Sequence, residues 1–182
     1  MPIQSKEEII VALNEKVDAF ISHISALNSQ QFEMTPNEKW SAGQNLDHLI
    51  RSIQPLQLAY SLPKFMLKLL FGKANRPSKT YEELVAKYKA KLAAGGRASR
   101  RFVPPIIYAD KKTTLLSTYQ KQKQKLISKI KNTNEKDLDL YILPHPLLGK
   151  ITLREMLFFT IYHNEHHLEI LRSREGVGVN VL

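Results

Sequence analysis

Apolar residues return at helical spacing along most of this chain. Between residues 5 and 27 they recur every three or four positions and define one helix face, formed by Ile9, Ile10, Leu13, Val17, Phe20, Ile21 and Ile24. The segment begins with Ser5-Lys6-Glu7-Glu8, which is typical of a capping box because the Ser5 and Glu8 side chains can satisfy each other's backbone donors. The pattern predicts a first helix over residues 5–27 with one buried face.

Similar capping signals predict further helix starts, at Ser41-Ala42-Gly43-Gln44, Thr80-Tyr81-Glu82-Glu83 and Thr152-Leu153-Arg154-Glu155. We predict helices from residue 41 onwards and over residues 80–94, 110–130 and 152–172. Pro55 should bend the helix that begins at residue 41, or end the first part of that helix. Residues 62–72 are apolar with two lysines. We interpret them as a connection packed against the bundle, forming part of a pocket lid, with a membrane-surface segment as the alternative.

No segment shows convincing strand alternation, and no internal repeat is present. Residues 97–105 are predicted to form an exposed basic loop, and residues 145–150 a turn. The fold class that follows is all-α, an up-down four-helix bundle with an additional helix or insertion. A length of 182 residues fits a single domain over residues 1–182.

The chain contains no cysteine. This excludes disulfides, a catalytic thiol and a thiolate metal site, and it leaves histidine and carboxylate as the strong metal ligands. No run of about 18 apolar residues is present, so we expect no membrane span. The first residues lack the basic and then apolar order of a secretory signal, so we expect a cytoplasmic protein.

The formal net charge of +10 raises the question of a nucleic-acid partner. The lysines between residues 121 and 131 spread around a helix, and no interleaved aromatic residues, Gly-rich loop or DNA-reading motif lies beside them. We therefore interpret this surface as a solvated, lysine-rich helix and expect no nucleic-acid partner. An anionic small molecule and a membrane surface stay open as alternatives.

Two histidines of the last predicted helix are candidate metal ligands. His163 and His167 are four residues apart, so they share one helix face with apolar core positions. Buried imidazoles need partners, because an unmade hydrogen bond costs about 1–3 kcal/mol, and a divalent cation would accept one lone pair from each neutral ring. The alternative is a pair of core histidines satisfied by other groups. His48, beside the apolar stripe of the predicted second helix, is the candidate third ligand, and three nitrogens leave a coordination position open, as catalytic sites do.

The neighbouring polar residues give no second chemistry. Asn164 rather than glutamate follows His163, so the pair is not a zincin motif, and Glu165 should be solvated on the far side of the helix. We predict a surface role for His166 and a turn role for His145. No nucleophile elbow, phosphate loop or dinucleotide fingerprint is present. The general base is not identified, and its candidates are Gln44, Ser52 and unassigned loop residues.

Three separated motifs occur in order along the chain. They are Trp-Ser-x-x-Gln-x-x-x-His-Leu at residues 40–49, His-Pro-x-x-Gly-x-x-Thr-x-x-Glu at residues 145–155, and His-x-x-x-His at residues 163–167. Together they resemble the DinB-like superfamily, of the DinB/YfiT type. The resemblance implies a four-helix bundle with an extra helix or insertion, often dimeric. It also implies a divalent metal, with zinc, nickel or iron as the candidates, held by His48, His163 and His167.

The resemblance also sets the range of functions. We expect a metal-dependent hydrolase acting on a small molecule, and the basic surface would favour an anionic one. One alternative is an S-transferase or isomerase that uses a low-molecular-weight thiol as a further cofactor. Another is a metal- or ligand-binding module without turnover. A homodimer is expected from the family.

Overall fold

The helices begin where the capping signals predict them. The computed structural model describes residues 3–35 and 39–175. In chain order its elements are α1 (Lys6–Ala26), α2 (Ser29–Glu33), α3 (Ala42–Ala59), α4 (Lys64–Phe71), α5 (Tyr81–Ala93), α6 (Lys112–Lys131), α7 (Glu135–Leu140), β1 (Ile142–His145), β2 (Gly149–Thr152) and α8 (Leu153–Glu175), with single 3-10 turns at Arg100–Phe102 and Ala109–Lys111. Capping boxes at Ser5, Ser41 and Thr80 begin α1, α3 and α5.

Four long helices, α1, α3, α6 and α8, form the bundle. α1 packs against α8 and α6, and α3 packs against the same two helices, so α1 and α3 lie across the bundle from each other. α1 and α8 run in the same direction. At their first turns Arg154 donates to the carbonyl of Gln4, and further along Lys16 Nζ lies 2.9 Å from Glu165 Oε1.

α3 and α6 also run in the same direction. Gln57 Nε2 donates to the carbonyl of Gln122 at 2.7 Å, and beyond the end of α3 the Lys129 ammonium donates to Ser61 Oγ at 2.7 Å. A connection between two parallel helices has to return along the length of the bundle. Residues 60–111 make this return and carry both α4 and α5.

α1 and α6 are antiparallel neighbours. Lys123 Nζ lies 2.6 Å from Asp18 Oδ1, whereas Lys112, at the start of α6, donates to the carbonyl of Ser25 near the end of α1. The four long helices therefore run up, down, down, up, which differs from simple up-down alternation. The prediction of an all-α bundle with additional helices is confirmed.

The core follows the predicted helix faces. All five buried residues of α1 belong to its predicted face, namely Ile9, Leu13, Val17, Phe20 and Ile24. Pro55 lies inside α3, and the helix continues to Ala59 rather than ending there. The segment 62–72, predicted as a connection, forms α4 and packs against β1. Within the described parts of the chain, no helix combines the length and the apolar content that a bilayer crossing requires.

A β-hairpin precedes α8, where we predicted a turn without strands. β1 and β2 pair antiparallel, with Leu143 opposite Ile151 and His145 opposite Gly149. Gly149 has φ of +75°, a left-handed conformation that favours glycine at this turn. Each strand has only four residues, and Pro144 interrupts the first, so the sequence carries too few alternating positions to reveal them.

The carboxylate of Glu155 joins the start of α8 to the crossover between α4 and α5. Its side chain is fully buried and accepts two hydrogen bonds from Arg76, at 2.6 and 2.9 Å. It also accepts the backbone N–H groups of Lys79 at 2.7 Å and Thr152 at 2.8 Å. Burial alone would raise the pKa of Glu155, but these hydrogen bonds outweigh it and hold the pKa below its usual value.

Replacing Glu155 by alanine should destabilise the fold by about 3 kcal/mol, because it leaves buried backbone donors and one guanidinium without their acceptor. Urea unfolding of the Glu155→Ala variant measures this. The matched control is Glu82→Ala, an exposed glutamate in the first turn of α5, which should change the unfolding free energy by about 0.5 kcal/mol at most. Equal losses in the two variants would contradict a specific role for the buried carboxylate.

Candidate metal centre

The antiparallel packing of α3 on α8 brings the three predicted histidines together. His48 Nε2 lies 3.1 Å from His163 Nε2, and His167 Nε2 lies 3.0 Å from the same atom. All three side chains are buried, with 5% or 6% of each residue exposed. Among the described residues this is the group of histidines and carboxylates whose geometry could hold a metal ion.

The tautomer of His48 is fixed by a backbone carbonyl. Its Nδ1 lies 2.7 Å from the carbonyl oxygen of Phe102, in the 3-10 turn that follows α5. A carbonyl oxygen only accepts, so Nδ1 carries the proton of the neutral ring. Nε2 of His48 therefore presents a lone pair to the centre of the group.

The tautomer of His167 is fixed by Asn45, one turn before His48 on α3. The Asn45 amide nitrogen donates to the carbonyls of Trp40 and Ser41, at 3.1 and 2.8 Å. Its oxygen therefore faces Nδ1 of His167, at 2.6 Å, and accepts the proton there. Nε2 of His167 is left with a lone pair that also points toward His163.

These contacts leave an excess of lone pairs at the centre. His163 Nε2 can share one proton with one neighbour, so at least one of the two short contacts would join two lone pairs. Additional protons are disfavoured, because burial and then the adjacent imidazoles lower the pKa of His163 well below its usual value. Burial likewise lowers the pKa of His167, and that of His48 is lowered by burial despite its bond to Phe102.

A divalent cation fits this donor set. Three nitrogens at tetrahedral angles, each 2.0–2.1 Å from zinc, would be about 3.3 Å apart. The two separations from His163 Nε2, 3.0 and 3.1 Å, are close to this value, and all three ligand atoms lie within 4.8 Å of one another. Each Nδ1 hydrogen bond described above orients a ligand ring, as the outer partners of metal-bound histidines do.

A cavity of about 910 Å³ opens above the three histidines. Its walls come from α3, α5, α8, the hairpin and the loop after α5, and they are largely apolar. No aspartate or glutamate belongs to its described lining. The volume suits one drug-sized ligand or two smaller ones.

Two further histidines, His145 and His166, line the cavity. His166, for which we predicted a surface role, is half-buried, lines the cavity and stacks on Tyr162. His145 serves the predicted turn, since its Nδ1 accepts the N–H groups of Leu147 and Leu148, both at 3.1 Å. It also lines the cavity, which the sequence did not predict.

The other polar candidates are committed to structural contacts. Glu165 is partly buried in an ion pair with Lys16 rather than fully solvated, and it does not line the cavity. Gln44 accepts the N–H of Ser41 in the capping box of α3. Ser52 lines the cavity, but its hydroxyl donates to the carbonyl of His48 at 2.8 Å. None of the three is placed as an evident general base.

Comparison with known proteins agrees with the motifs. A sequence model of the DinB superfamily matches residues 4–171. None of the curated proteins matches the chain.

Solved structures share the fold at low sequence identity. TT2238, a four-helix bundle protein, is 13% identical, with 93% of this chain and 99% of that chain covered and a TM-score of 0.58. A second structure is that of YfiT from Bacillus subtilis, described as a probable metal-dependent hydrolase with an unusual four-helix bundle topology. It is 17% identical, with 94% of this chain and 87% of that chain covered and a TM-score of 0.60. These identities show a common fold and no more.

A third structure, the colibactin self-resistance protein ClbS in complex with a dsDNA, is 18% identical, with 94% of this chain and 95% of that chain covered and a TM-score of 0.57. The DNA complex does not fit our expectation of no nucleic-acid partner. It is a property of ClbS, however, and the likeness to this chain is one of fold. The expectation therefore stays a prediction.

We expect the neutral form of His145, with its proton on Nε2, to predominate above a pH of about 4. Burial, assisted by the charge of Lys87, lowers its pKa from 6.5 to about 4. Because the folded state favours the neutral ring, the stability from this group is complete above pH 6.5 and is lost as the pH falls toward 4. Long-range ¹H–¹⁵N correlation spectra across this pH range report both the tautomer and the titration.

A Lys87→Gln variant should move the pKa of His145 upward, since it removes the nearby positive charge. Titration of the native protein near pH 6.5, or a proton on Nδ1, would contradict the geometry of this turn.

Proposed function

This chain belongs to the DinB superfamily, and we propose that it is a metal-dependent hydrolase that acts on a small molecule. The observation that carries the proposal is the arrangement of His48, His163 and His167, whose Nε2 atoms converge at the base of an apolar cavity. Hydrogen bonds already hold two of these rings in the tautomer that a metal requires. The fold shared with YfiT, described as a probable metal-dependent hydrolase, supports the same assignment.

Each part of the site has a role in this proposal. The three imidazoles would hold a divalent cation, and the cation would supply Lewis-acid chemistry at the base of the cavity. Asn45 and the carbonyl of Phe102 keep the rings oriented. The apolar walls bind the substrate and exclude bulk water, which strengthens the polar interactions at the base. Three protein ligands are the number that catalytic zinc sites use.

Untagged protein should contain about one equivalent of zinc, nickel or iron, and His48→Ala should lose most of it. The variant removes the only ligand that α3 supplies, so the metal affinity should fall by roughly 100-fold or more. Elemental mass spectrometry, followed by competition with a chelator, measures both quantities. The matched control is His166→Ala, which removes an imidazole from the cavity wall outside the three-histidine group.

An Asn45→Ala variant provides a finer version of this test. It keeps all three ligands but removes the acceptor that orients His167, so the affinity should fall by about 10–100-fold. Parent protein that stays metal-free after incubation with each of the three metals would overturn the proposal. Equal losses in His48→Ala and His166→Ala would also contradict it.

The cavity favours one second candidate, a transfer reaction that uses a low-molecular-weight thiol. A hydrolase of this type benefits from a nearby base, yet the described lining contains no carboxylate. The cavity of about 910 Å³ has room for a thiol and an electrophile together. The chain has no cysteine, so the thiol would have to come from a bound small molecule.

The two reactions separate in a single assay. Metal-loaded protein is incubated with a panel of small electrophiles, including activated esters, in the presence and absence of each thiol in a panel. Hydrolysis that needs metal but no thiol supports the first proposal, whereas conjugation that needs both supports the second. The His48→Ala variant should abolish either one. Metal binding without turnover on any substrate in the panel would instead favour a binding module.

A further inference from the structure

The lining of the cavity is largely apolar. Its lining includes side chains from four separate elements, among them Leu56, Leu92, Leu143, Met156 and Phe159. Burial of a ligand's apolar surface against such walls contributes roughly 25 cal/mol per Å². The ligand should therefore have a sizeable apolar body.

The charged groups of the lining all have one sign. Arg97 and Arg101, in the loop after α5, line the cavity and are exposed at its mouth. Neither guanidinium forms an ion pair with a carboxylate among the described residues, whereas Arg51, Arg76 and Arg154 each do. The lining includes no aspartate or glutamate that could neutralise them. A ligand bound here therefore meets uncompensated positive charge.

One uncharged polar group of the lining, His145, also favours an acceptor. Because Nδ1 of His145 is occupied by two backbone N–H groups, its proton lies on Nε2, and the ring can only donate from that atom. The depressed pKa keeps this donor neutral. A ligand oxygen is the natural partner for such a group.

The loop that carries the arginines is tied to the three-histidine group. The carbonyl of Phe102 accepts the Nδ1 proton of His48, and the guanidinium of Arg101 lies over the Phe102 ring, 4.9 Å from its centre. Lys87 of α5 in turn donates to the carbonyl of Leu148 and joins α5 to the hairpin. The loop that carries the arginines is therefore held in a defined position beside the three-histidine group.

We infer that the cavity binds an amphipathic anion, a molecule with an apolar body and one carboxylate, sulfonate or phosphate group. The body lies between the apolar walls and extends toward the histidines, and the anionic group contacts Arg97 and Arg101 at the mouth. This names the substrate class of the proposed function and rests on that function only in calling the ligand a substrate. The anion site itself does not depend on a bound metal.

A pair of fluorescent probes tests this directly. 8-Anilinonaphthalene-1-sulfonate and N-phenyl-1-naphthylamine share the same apolar body, and only the first carries a sulfonate. Both are titrated into metal-loaded and metal-free protein at low and moderate salt. Emission of Trp40, the only tryptophan of the chain, gives a second signal because this residue lines the cavity.

The Arg97→Gln and Arg101→Gln variants should each weaken sulfonate binding by about threefold, and the double variant by about tenfold, which is typical of exposed charge contacts. Affinity for the neutral probe should change by less than about twofold. The matched control is Arg100→Gln, which removes the same charge from the same loop at an exposed position outside the lining. It should leave both affinities nearly unchanged.

Several results would overturn the inference. These are failure of both probes to bind, equal loss of both probes in the double variant, or an effect of Arg100→Gln as large as that of the cavity arginines. The last result would assign the selectivity to the overall charge of +10. Metal content is measured on the same variants. A metal-free protein that still selects the sulfonate would remove the proposed function and leave the anion site in place.

Discussion

The antiparallel packing of α3 against α8 is the constraint on which the site depends. It places Asn45 opposite His167 and His48 opposite His163, so two polar pairs meet one helical turn apart. A shift of α8 by one turn, about 5.4 Å, would separate both pairs and leave several buried polar groups without partners. The polar contacts therefore define the register of two helices whose remaining contacts are largely apolar and less directional.

This arrangement costs stability that other parts of the fold must offset. Three neutral imidazoles in a core contribute less than apolar side chains of similar size would, and their mutual contacts are unfavourable without a cation. The start of α8 is held independently, because Glu155 joins it to Arg76 and to the backbone on both sides. α8 is thereby held at its N-terminal end, two turns before His163, through contacts that need no metal.

The sequence predicted most of the fold and the three histidines that the structure brings together, and it missed the groups that orient them. Capping boxes at Ser5, Ser41 and Thr80 predicted the starts of three helices, because a capping box is a local interaction between residues three apart. His48 was a candidate third ligand from the start, but only the family motifs implied that it acts with His163 and His167, since helical spacing alone relates only the last two. The bond from His48 to the carbonyl of Phe102 could not be predicted, because every residue type has a backbone carbonyl. A role for Asn45 at the site was weakly indicated, because this residue lies one turn before His48 on the same helix.

The direction of the helices determines which parts of the chain form the walls of the cavity. Because α3 and α6 run parallel, residues 60–111 have to return along the bundle, and an ordinary short loop would not suffice. That return supplies α5, the loop with Arg97 and Arg101, and the Phe102 carbonyl that orients His48. The base of the cavity thus comes from the bundle itself, whereas much of its wall and the charge at its mouth come from the crossover. Changes in the crossover can alter which molecule reaches the histidines without disturbing the α3–α8 packing that brings them together.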